Sequence, residues 1–375
     1  MGKNFSEHVL AVFANHKTSY EQIYQLMKDV ALNRDLYDEN TGMAITKAQA
    51  NKKIYEFSLE ILGNPDIKDR KEVRRALKKN GYDWFQVIED VVQDVISIGY
   101  GESPWFQDLV ETKTIAYGDR QDFRTETDAI LAVAEVGESH HDLILQRIGA
   151  NAPVSIPTKR YAIKIGEDIN KSILGQSDWT KMVQAIADAY IRKIQELVSA
   201  EIVGLNSKLP SAVVGNGALD SSSKDDFDNI IEKVSAANNG AEVIVMGTKI
   251  ALKKITALAD VNWGSKDQRD AMAQTGTLGI YEGTRLVEIP QRFKDKTLAD
   301  ASKLVDDTKL LILPVLADNL KPVKFVDEAD TEIVEITDKG EQSGHWTDEM
   351  SYEVQRRFGV GVVLGRILGE WSLPQ

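Results

Sequence analysis

The sequence predicts an α+β fold, and three observations predict it. The stretch from Ser177 to Asn206 carries the longest helical pattern in the chain, the first hundred residues read as a set of helices, and a strand-rich segment from Trp105 to Gly175 precedes a final third in which strands and helices alternate. In the long pattern Trp179, Met182, Val183, Ile186, Ala187, Tyr190, Ile194, Leu197, Val198 and Ile202 recur mostly at steps of three and four, which places them on one broad apolar stripe. Asp178 stands where an N-cap or first-turn acid belongs, and Gly204, Asn206 and Pro210 supply the stop. Such a rod would be roughly 40 Å long and would suit a flat, extended molecule.

The first hundred residues are expected to form one small all-helical unit. Ser19-Tyr20-Glu21-Gln22 and Thr46-Lys47-Ala48-Gln49 both fit the capping-box pattern, and Ile23, Leu26, Met27 and Val30 repeat at helical spacing. Gly63-Asn64-Pro65 is a stop, and the next helix is expected to end near Gly81 with a further one following, its buried stripe being Trp84, Ile88, Val91, Val92 and Val95. The expected core of the unit is Val9, Phe13, Ile23, Leu26, Met27, Ile54, Phe57, Ile61, Leu77, Ile88, Val91 and Val95, with Gly99, Gly101 and Pro104 marking a hinge at its end.

From Trp105 to Gly175 the β-branched stretches Ile130–Val136, Val154–Pro157 and Tyr161–Ile165 are broken by Gly137, Gly149, Asn151 and Pro153, the pattern of a long hairpin. It has too few large apolar residues to hold a core by itself, so it is expected to lie on something else, such as another copy of the chain. After the Gly/Ser/Asn-rich connection Pro210 to Ser223, a helix is expected from Lys224 to about Ala237 with Phe227, Ile230, Ile231 and Val234 inward. Then follow a strand at Val243–Met246, a helix at Lys249–Leu258, a capping box at Ser265-Lys266-Asp267-Gln268, a strand–turn–strand at Thr277–Ile280 and Thr284–Ile289, and strands at Leu310–Pro314 and Pro322–Val326.

The totals exclude several classes of chemistry. The chain has 375 residues and no cysteine, which removes disulfides, thiolate nucleophiles and cysteine metal sites. No run of eighteen apolar residues and no apolar leader is found, so neither a membrane span nor a secretory signal is expected, and a cytosol is the default setting. The formal charge of −13 argues against a sequence-reading DNA binder, although a protein facing packed nucleic acid without gripping it would also gain from being acidic.

Two strings then give the order of elements a familiar form. They are Gly276-Thr277-Leu278-Gly279-Ile280-Tyr281-Glu282-Gly283-Thr284-Arg285-Leu286-Val287 and Tyr352-Glu353-Val354-Gln355-Arg356-Arg357-Phe358-Gly359-Val360-Gly361-Val362-Val363. With them the chain resembles the major capsid protein of tailed bacteriophages, whose shell fold is shared by encapsulins and the herpesvirus capsid floor. The first string is similar to that family's A-domain turn, and the second to the strand, with an Arg or Lys before a Gly, that returns to the P-domain.

The resemblance implies a helical unit at 1–104, an N-arm and E-loop at 105–175 with the hairpin itself at about 121–168, a P-domain with its spine helix at 176–239, an A-domain at 240–330 and return strands at 331–375. It implies a non-enzymatic structural subunit that self-assembles into pentamers and hexamers of an icosahedral shell around double-stranded phage DNA. Scaffolding protein, portal, non-specifically packaged DNA and decoration proteins would be its partners, with no membrane, in a virion assembled in the host cytoplasm. An encapsulin-type compartment holding a cargo enzyme and an unrecognised cytosolic enzyme are the alternatives. Some phage shells are sealed by Lys–Asn isopeptide bonds, but no Asn follows Asn319, so the partner for that bond is missing.

No catalytic, cofactor-binding or metal-binding residue is assigned. His140-His141-Asp142, near Glu138, is the nearest approach to a metal cluster, but adjacent strand residues point to opposite faces, which favours a polar hairpin bend. Gly359, Gly361 and Gly365 lack the following strand and acidic residue of a dinucleotide loop, so close backbone packing is expected there. Gly247-Thr248-Lys249 lacks the order of a phosphate loop and reads as a helix start. Trp105-Phe106 read as packing anchors. The run Lys68 to Lys79 holds Lys68, Arg70, Lys71, Arg74, Arg75, Lys78 and Lys79 against Asp69 and Glu72. It reads equally as a solvated helix face and as a contact with nucleic acid or with an acidic neighbouring subunit.

Overall fold

The computed structural model describes residues 17–32, 34–36, 44–101, 103–124, 153–168, 179–205, 208–256, 258, 279–294, 302–317, 320–336 and 349–374. Its helices are α1 (Lys17–Ala31), α2 (Lys47–Ile61), α3 (Arg70–Gly101), α4 (Pro104–Leu109), α5 (Trp179–Val203), α6 (Lys224–Ala237) and α7 (Lys249–Thr256). The strands are β1 (Val110–Ile115), β2 (Asp122–Phe123), β3 (Val154–Ser155), β4 (Lys159–Asp168), β5 (Val214–Asn216), β6 (Val243–Gly247), β7 (Ile280–Tyr281), β8 (Thr284–Glu288), β9 (Lys309–Pro314), β10 (Val323–Ile336), β11 (Glu349–Val362) and β12 (Gly369–Ser372). The expected α+β class is the one observed. The chain forms two compact units, one of Met1–Glu102, Lys159–Lys193 and Glu328–Arg357, the other of Ser103–Thr158, Ile194–Asp327 and Phe358–Gln375, so α5, β10 and β11 each give residues to both.

In the first unit α1, α2 and α3 pack on one another. Thr46 caps α2 as the sequence requires: its hydroxyl accepts from the Gln49 N–H at 3.3 Å while the Gln49 side chain accepts from the Thr46 N–H at 2.9 Å. The other capping-box reading fails, because α1 already begins at Lys17 and Ser19 lies inside it. Met27, Ile54, Phe57, Ile61, Ile88, Val91 and Val95 are buried as expected, Ile23 and Leu26 are only half-buried, and Val9, Phe13 and the Leu77 side chain lie outside what the structure describes. Tyr24 donates to the Asp94 carboxylate at 2.6 Å and Lys28 pairs with the same carboxylate at 3.0 Å, tying α1 to α3.

Helix α3 corrects three expectations. It runs 32 residues without a break, so Gly81 ends nothing, and it is longer than the 25 residues of α5. Asn80 explains part of the continuity: it is buried and donates to the Leu62 carbonyl at 3.2 Å, and with Trp84 and Val87 it continues the buried seam past the glycine, whose cost is about 1 kcal/mol. Gly99, read as the start of a hinge segment, lies inside the helix. A Cβ there would stand 2.4 Å from Ile191 Cδ1, so the glycine lets α3 and α5 approach inside the helix.

In the second unit a six-stranded sheet has the order β5-β12-β9-β6-β8-β7. Strands β6 and β8 run parallel with α7 in their connection, whereas β9 lies antiparallel to both β6 and β12. Every residue of β6 is buried, which is why its sequence is a continuous apolar run rather than an alternating one. Helix α6 presents Phe227, Ile230 and Val234 to a core that includes Val245, Ile312 and Trp371. Phe227 meets the Trp371 ring edge-on at 5.6 Å, and the indole N–H donates to the Gly217 carbonyl at 3.0 Å. Strand β1 borders β10 in this unit, and β4 borders β11 in the first. Trp105 and Phe106 are buried, as packing anchors should be.

Candidate functional site

The two strings that carry the family resemblance define the places to look for function. The first closes a two-residue hairpin, in which Tyr281 pairs with Thr284 and Ile280 with Arg285. Its turn residues Glu282 and Gly283 have φ of 44° and 88°, the left-handed pair that a primed turn demands. Glutamate seldom takes such a φ. Here α6 holds it: Lys224 pairs with Glu282 at 2.5 Å, and Asp228, one helical turn on, accepts from the Tyr281 hydroxyl at 3.0 Å. Arg285 extends from the same hairpin to Asp108 at 2.8 Å. The sequence read the turn as Tyr281-Glu282-Gly283, one residue longer than it is, since Tyr281 belongs to β7; the α6 clamp was not legible, since nothing in an i, i+4 Lys–Asp pair names its partner.

Burial pushes the Tyr281 hydroxyl above its ordinary value, and the neighbouring Asp228 charge adds to the shift. Burial likewise raises Asp228, with the hydrogen bond from Tyr281 opposing it. Tyr190 is also raised by burial, Arg356 opposing; its hydroxyl donates to the Val354 carbonyl at 2.7 Å. For a phenol raised in the folded state, the unfolded chain ionises first, near pH 10. The stabilising contribution is therefore complete below pH 10 and is lost as pH rises above it. The urea midpoint should fall between pH 9.5 and 11, and Tyr281→Phe with Tyr190→Phe should flatten that fall. An unchanged slope in the double variant would assign it to other groups.

The second string lies on β11, and its glycines do what their spacing suggested. A Cβ on Gly359 would stand 2.4 Å from the Pro157 carbonyl oxygen, and one on Gly361 would stand 3.0 Å from Ile156 Cγ1. Only bare backbone admits the segment that follows β3 this closely. The base of the long hairpin is thus seated: β2 pairs antiparallel with β3, Phe123 opposite Val154, and Phe123 and Ile156 join Val326 and Val363 in a small core. The rest of the hairpin, including the expected strand Ile130–Val136 and His140-His141-Asp142, lies outside the described residues, as does the capping box at Ser265. Before the glycines, Arg356 is buried and donates to the Ser97 hydroxyl at 3.2 Å, so one arginine of the string is a packing group of the first unit.

An open cleft of about 780 Å³ in the second unit is lined in part by Glu196, Ser199, Lys294, Lys303 and Asp307. Burial opposes ionisation of Asp307, but hydrogen bonds from Lys303, Thr248 and Gln291 outweigh it and hold the carboxyl below its ordinary value. Those bonds bind the 303–308 segment to the fold and leave Asp307 poorly placed as a proton acceptor. Among the described residues no group of three His, Asp or Glu side chains is placed to hold a metal ion, and no helix is long and apolar enough to cross a membrane.

Comparison with known proteins bears directly on these elements. The family model described as "SPbeta prophage-derived putative capsid protein YonB" matches residues 22–372, which takes in both strings and the helical region before them. The chain belongs to the YonB capsid family. No curated protein matches it in sequence. Among solved structures, the mature capsid of bacteriophage PhiM1 is similar at a TM-score of 0.49 and 10% identity, over 72% of this chain and 87% of that one. The Microbacterium phage Oxtober96 structure gives 0.47 and 11%, over 72% and 91%. The holo-SrpI encapsulin complex from Synechococcus elongatus gives 0.42 and 12%, over 72% and 87%. At such identities no residue role is transferred. As a YonB-family member the chain is a capsid-type structural protein, and the expectation of a phage capsid subunit holds.

Proposed function

We propose that this YonB-family chain is the major capsid subunit of a tailed phage, self-assembling into pentamers and hexamers of an icosahedral shell that encloses double-stranded DNA. The family match over residues 22–372 carries the reading. Strands β6 to β9 of the six-stranded sheet, with the clamped β7–β8 turn, would serve as the A-domain within 240–330, the region 176–239, which gives β5 to that sheet, as the P-domain and 331–375, which gives β12, as return strands. The hairpin within 105–175 would act as the E-loop, reaching a neighbouring subunit from the base seated on Gly359 and Gly361. The helices of 1–104 would be an addition to the plain shell fold. Scaffolding protein, portal and decoration proteins would join the shell in the host cytoplasm.

Because Phe123 and Val154 are paired, the chain ends at 124 and 153 lie side by side and a short Gly/Ser link can join them. Replacing 127–150 by such a link should leave the thermal midpoint of the unassembled chain within a few degrees and abolish particles. Negative-stain microscopy of the purified chain, with a co-expressed scaffold where needed, reads the outcome. Normal particles from the shortened variant would refute the E-loop assignment, and a wild-type chain that stays monomeric at high concentration would refute the shell. Particles holding a cargo enzyme and no nucleic acid would replace the reading with an encapsulin-type compartment.

A further inference from the structure

We propose that the exposed row Lys68, Lys71, Arg75 and Lys79 is a binding surface for the phosphate backbone of double-stranded DNA. The proposal rests on the DNA-enclosing reading and places one point of contact within it. At about 100° per residue, Lys71, Arg75 and Lys79 fall within roughly 80° of one another on α3, with Lys68 just before the helix. All four are exposed. Val73 at 5% and Asn80 at 7% exposure hold the opposite side of the same turns, so the packing that folds the unit turns this row outward. The row is about 12 Å long from Lys71 to Lys79, which spans three to four base-pair rises.

Among the described residues the row has no partner. None of the four side chains pairs with a described residue. The nearby acids are committed elsewhere: Asp66 accepts from the Lys68 N–H at 3.0 Å and Asp69 from the Lys71 N–H at 2.9 Å, while exposed Glu72 stands at the edge of the face near the positive end of the helix dipole. Three cations at i, i+4, i+8 repel one another, and Lys71 sits in the first turn, where a cation is disfavoured. The row therefore works against the helix that carries it, and folding gives no reason for it.

Nucleic acid fits better than an acidic neighbouring subunit. A protein interface is built around an apolar centre. Between Lys17 and Gly101 the only described large apolar side chain that is exposed is Ile67, at 36%. A uniform line of flexible cations without such a centre suits a repeating polyanion that needs no registry, and phosphate contact of this kind is indifferent to sequence. The chain as a whole is acidic, so binding would be local and weak per subunit and would gain strength from repetition around a shell.

Binding of the full-length chain to a fluorescent 30-base-pair duplex of arbitrary sequence, followed by anisotropy from 50 to 200 mM NaCl, tests this. With about three to four phosphate contacts, log affinity should fall against log salt with a slope of roughly −3. K71E/R75E/K79E, and the milder K71Q/R75Q/K79Q, should lose at least tenfold in affinity at 50 mM and flatten the slope, with the thermal midpoint unchanged or raised. K249E/K253E/K254E, which makes the same charge change on exposed lysines of α7, should bind as wild type. Equal losses in the two Glu variants, undiminished binding by the row variants, or no wild-type binding at 50 mM would each overturn the proposal. Intact DNA binding together with lost particles in the row variants would also overturn it and assign the row to an acidic neighbour. Microscopy of the same preparations reads the shell separately.

Discussion

Ala187→Pro is expected to abolish soluble folding of the chain. Ala187 lies in the middle of α5, 3% exposed, on the stripe formed by Val183, Ile186, Tyr190, Ile194, Val198 and Ile202. Proline removes the N–H that would bond the carbonyl four residues earlier and drives its ring into that turn, costing about 3 kcal/mol or more before any packing is lost. Packing is then lost as well. A kink here displaces Tyr190, whose hydroxyl holds the Val354 and Tyr161 carbonyls, and Gln184, whose amide donates to the Val30 carbonyl at 2.6 Å. Against a typical total of about 5–15 kcal/mol, that sum leaves little. Ala185→Gln, on the exposed face two residues away, should change stability by no more than about 0.5 kcal/mol. Solubility and thermal midpoint compare the two, and equal shifts would mean that the stripe does not pack as described.

That stripe shows what a sequence reveals and what it conceals. Periodicity named Val183, Ile186, Ala187, Tyr190, Ile194, Val198 and Ile202 on the buried face of α5, where Met182 and Leu197 are only half-buried and the buried Gln195 and Ser199 went unnamed, and the bounds of α6, Lys224 to Ala237, follow from a turn-rich lead and an apolar face that both end sharply. Local chemistry likewise disclosed the Thr46 cap and the Glu282-Gly283 turn, because both are short-range bargains between residues a few positions apart. The failures are all tertiary. Gly81 and Gly99 read as breaks but sit inside α3, one flanked by the buried Asn80 and Trp84, the other against Ile191. Strand β12 escaped notice because it is four residues long and includes Glu370, which is fully buried and makes sense only opposite Lys309, 2.6 Å away on β9. At the candidate site the same division holds: the glycines of β11 announced close packing, whereas Pro157 and Ile156 as the neighbours, and Lys224 and Asp228 as the clamp, come from parts of the chain that no pattern connects.

The buried pair Lys324–Glu111 gives the second large expected effect. Strand β10 alternates too little for burial to be read from it, and Lys324 lies at 2% exposure with Glu111 of β1 at 5%, their side chains in direct contact. Burial drives the Lys324 ammonium below its ordinary value, and the hydrogen bond to Glu111 restores part of it. Lys113 stands 3.4 Å from the same carboxylate but is half exposed, so water can replace its partner. Water reaches Lys324 poorly. Glu111→Leu should therefore cost about 3–5 kcal/mol by leaving a buried cation unpaired. The double variant Glu111→Leu/Lys324→Met removes both charges and should recover most of that loss, since an apolar pair of similar volume is often as good as a buried ion pair. For a lysine lowered in the folded state, the unfolded chain holds its proton longer, so stability rises with pH from the lowered value up to the ordinary one near 10.5. Glu111→Leu should deepen that rise and the double variant should lack it. Urea midpoints at pH 7.5 and 9.5, below the range in which the tyrosines act, measure both. A double variant as unstable as the single one would mean that Glu111 serves β1 by its shape or its contact with Lys113, and that the pairing with Lys324 contributes little.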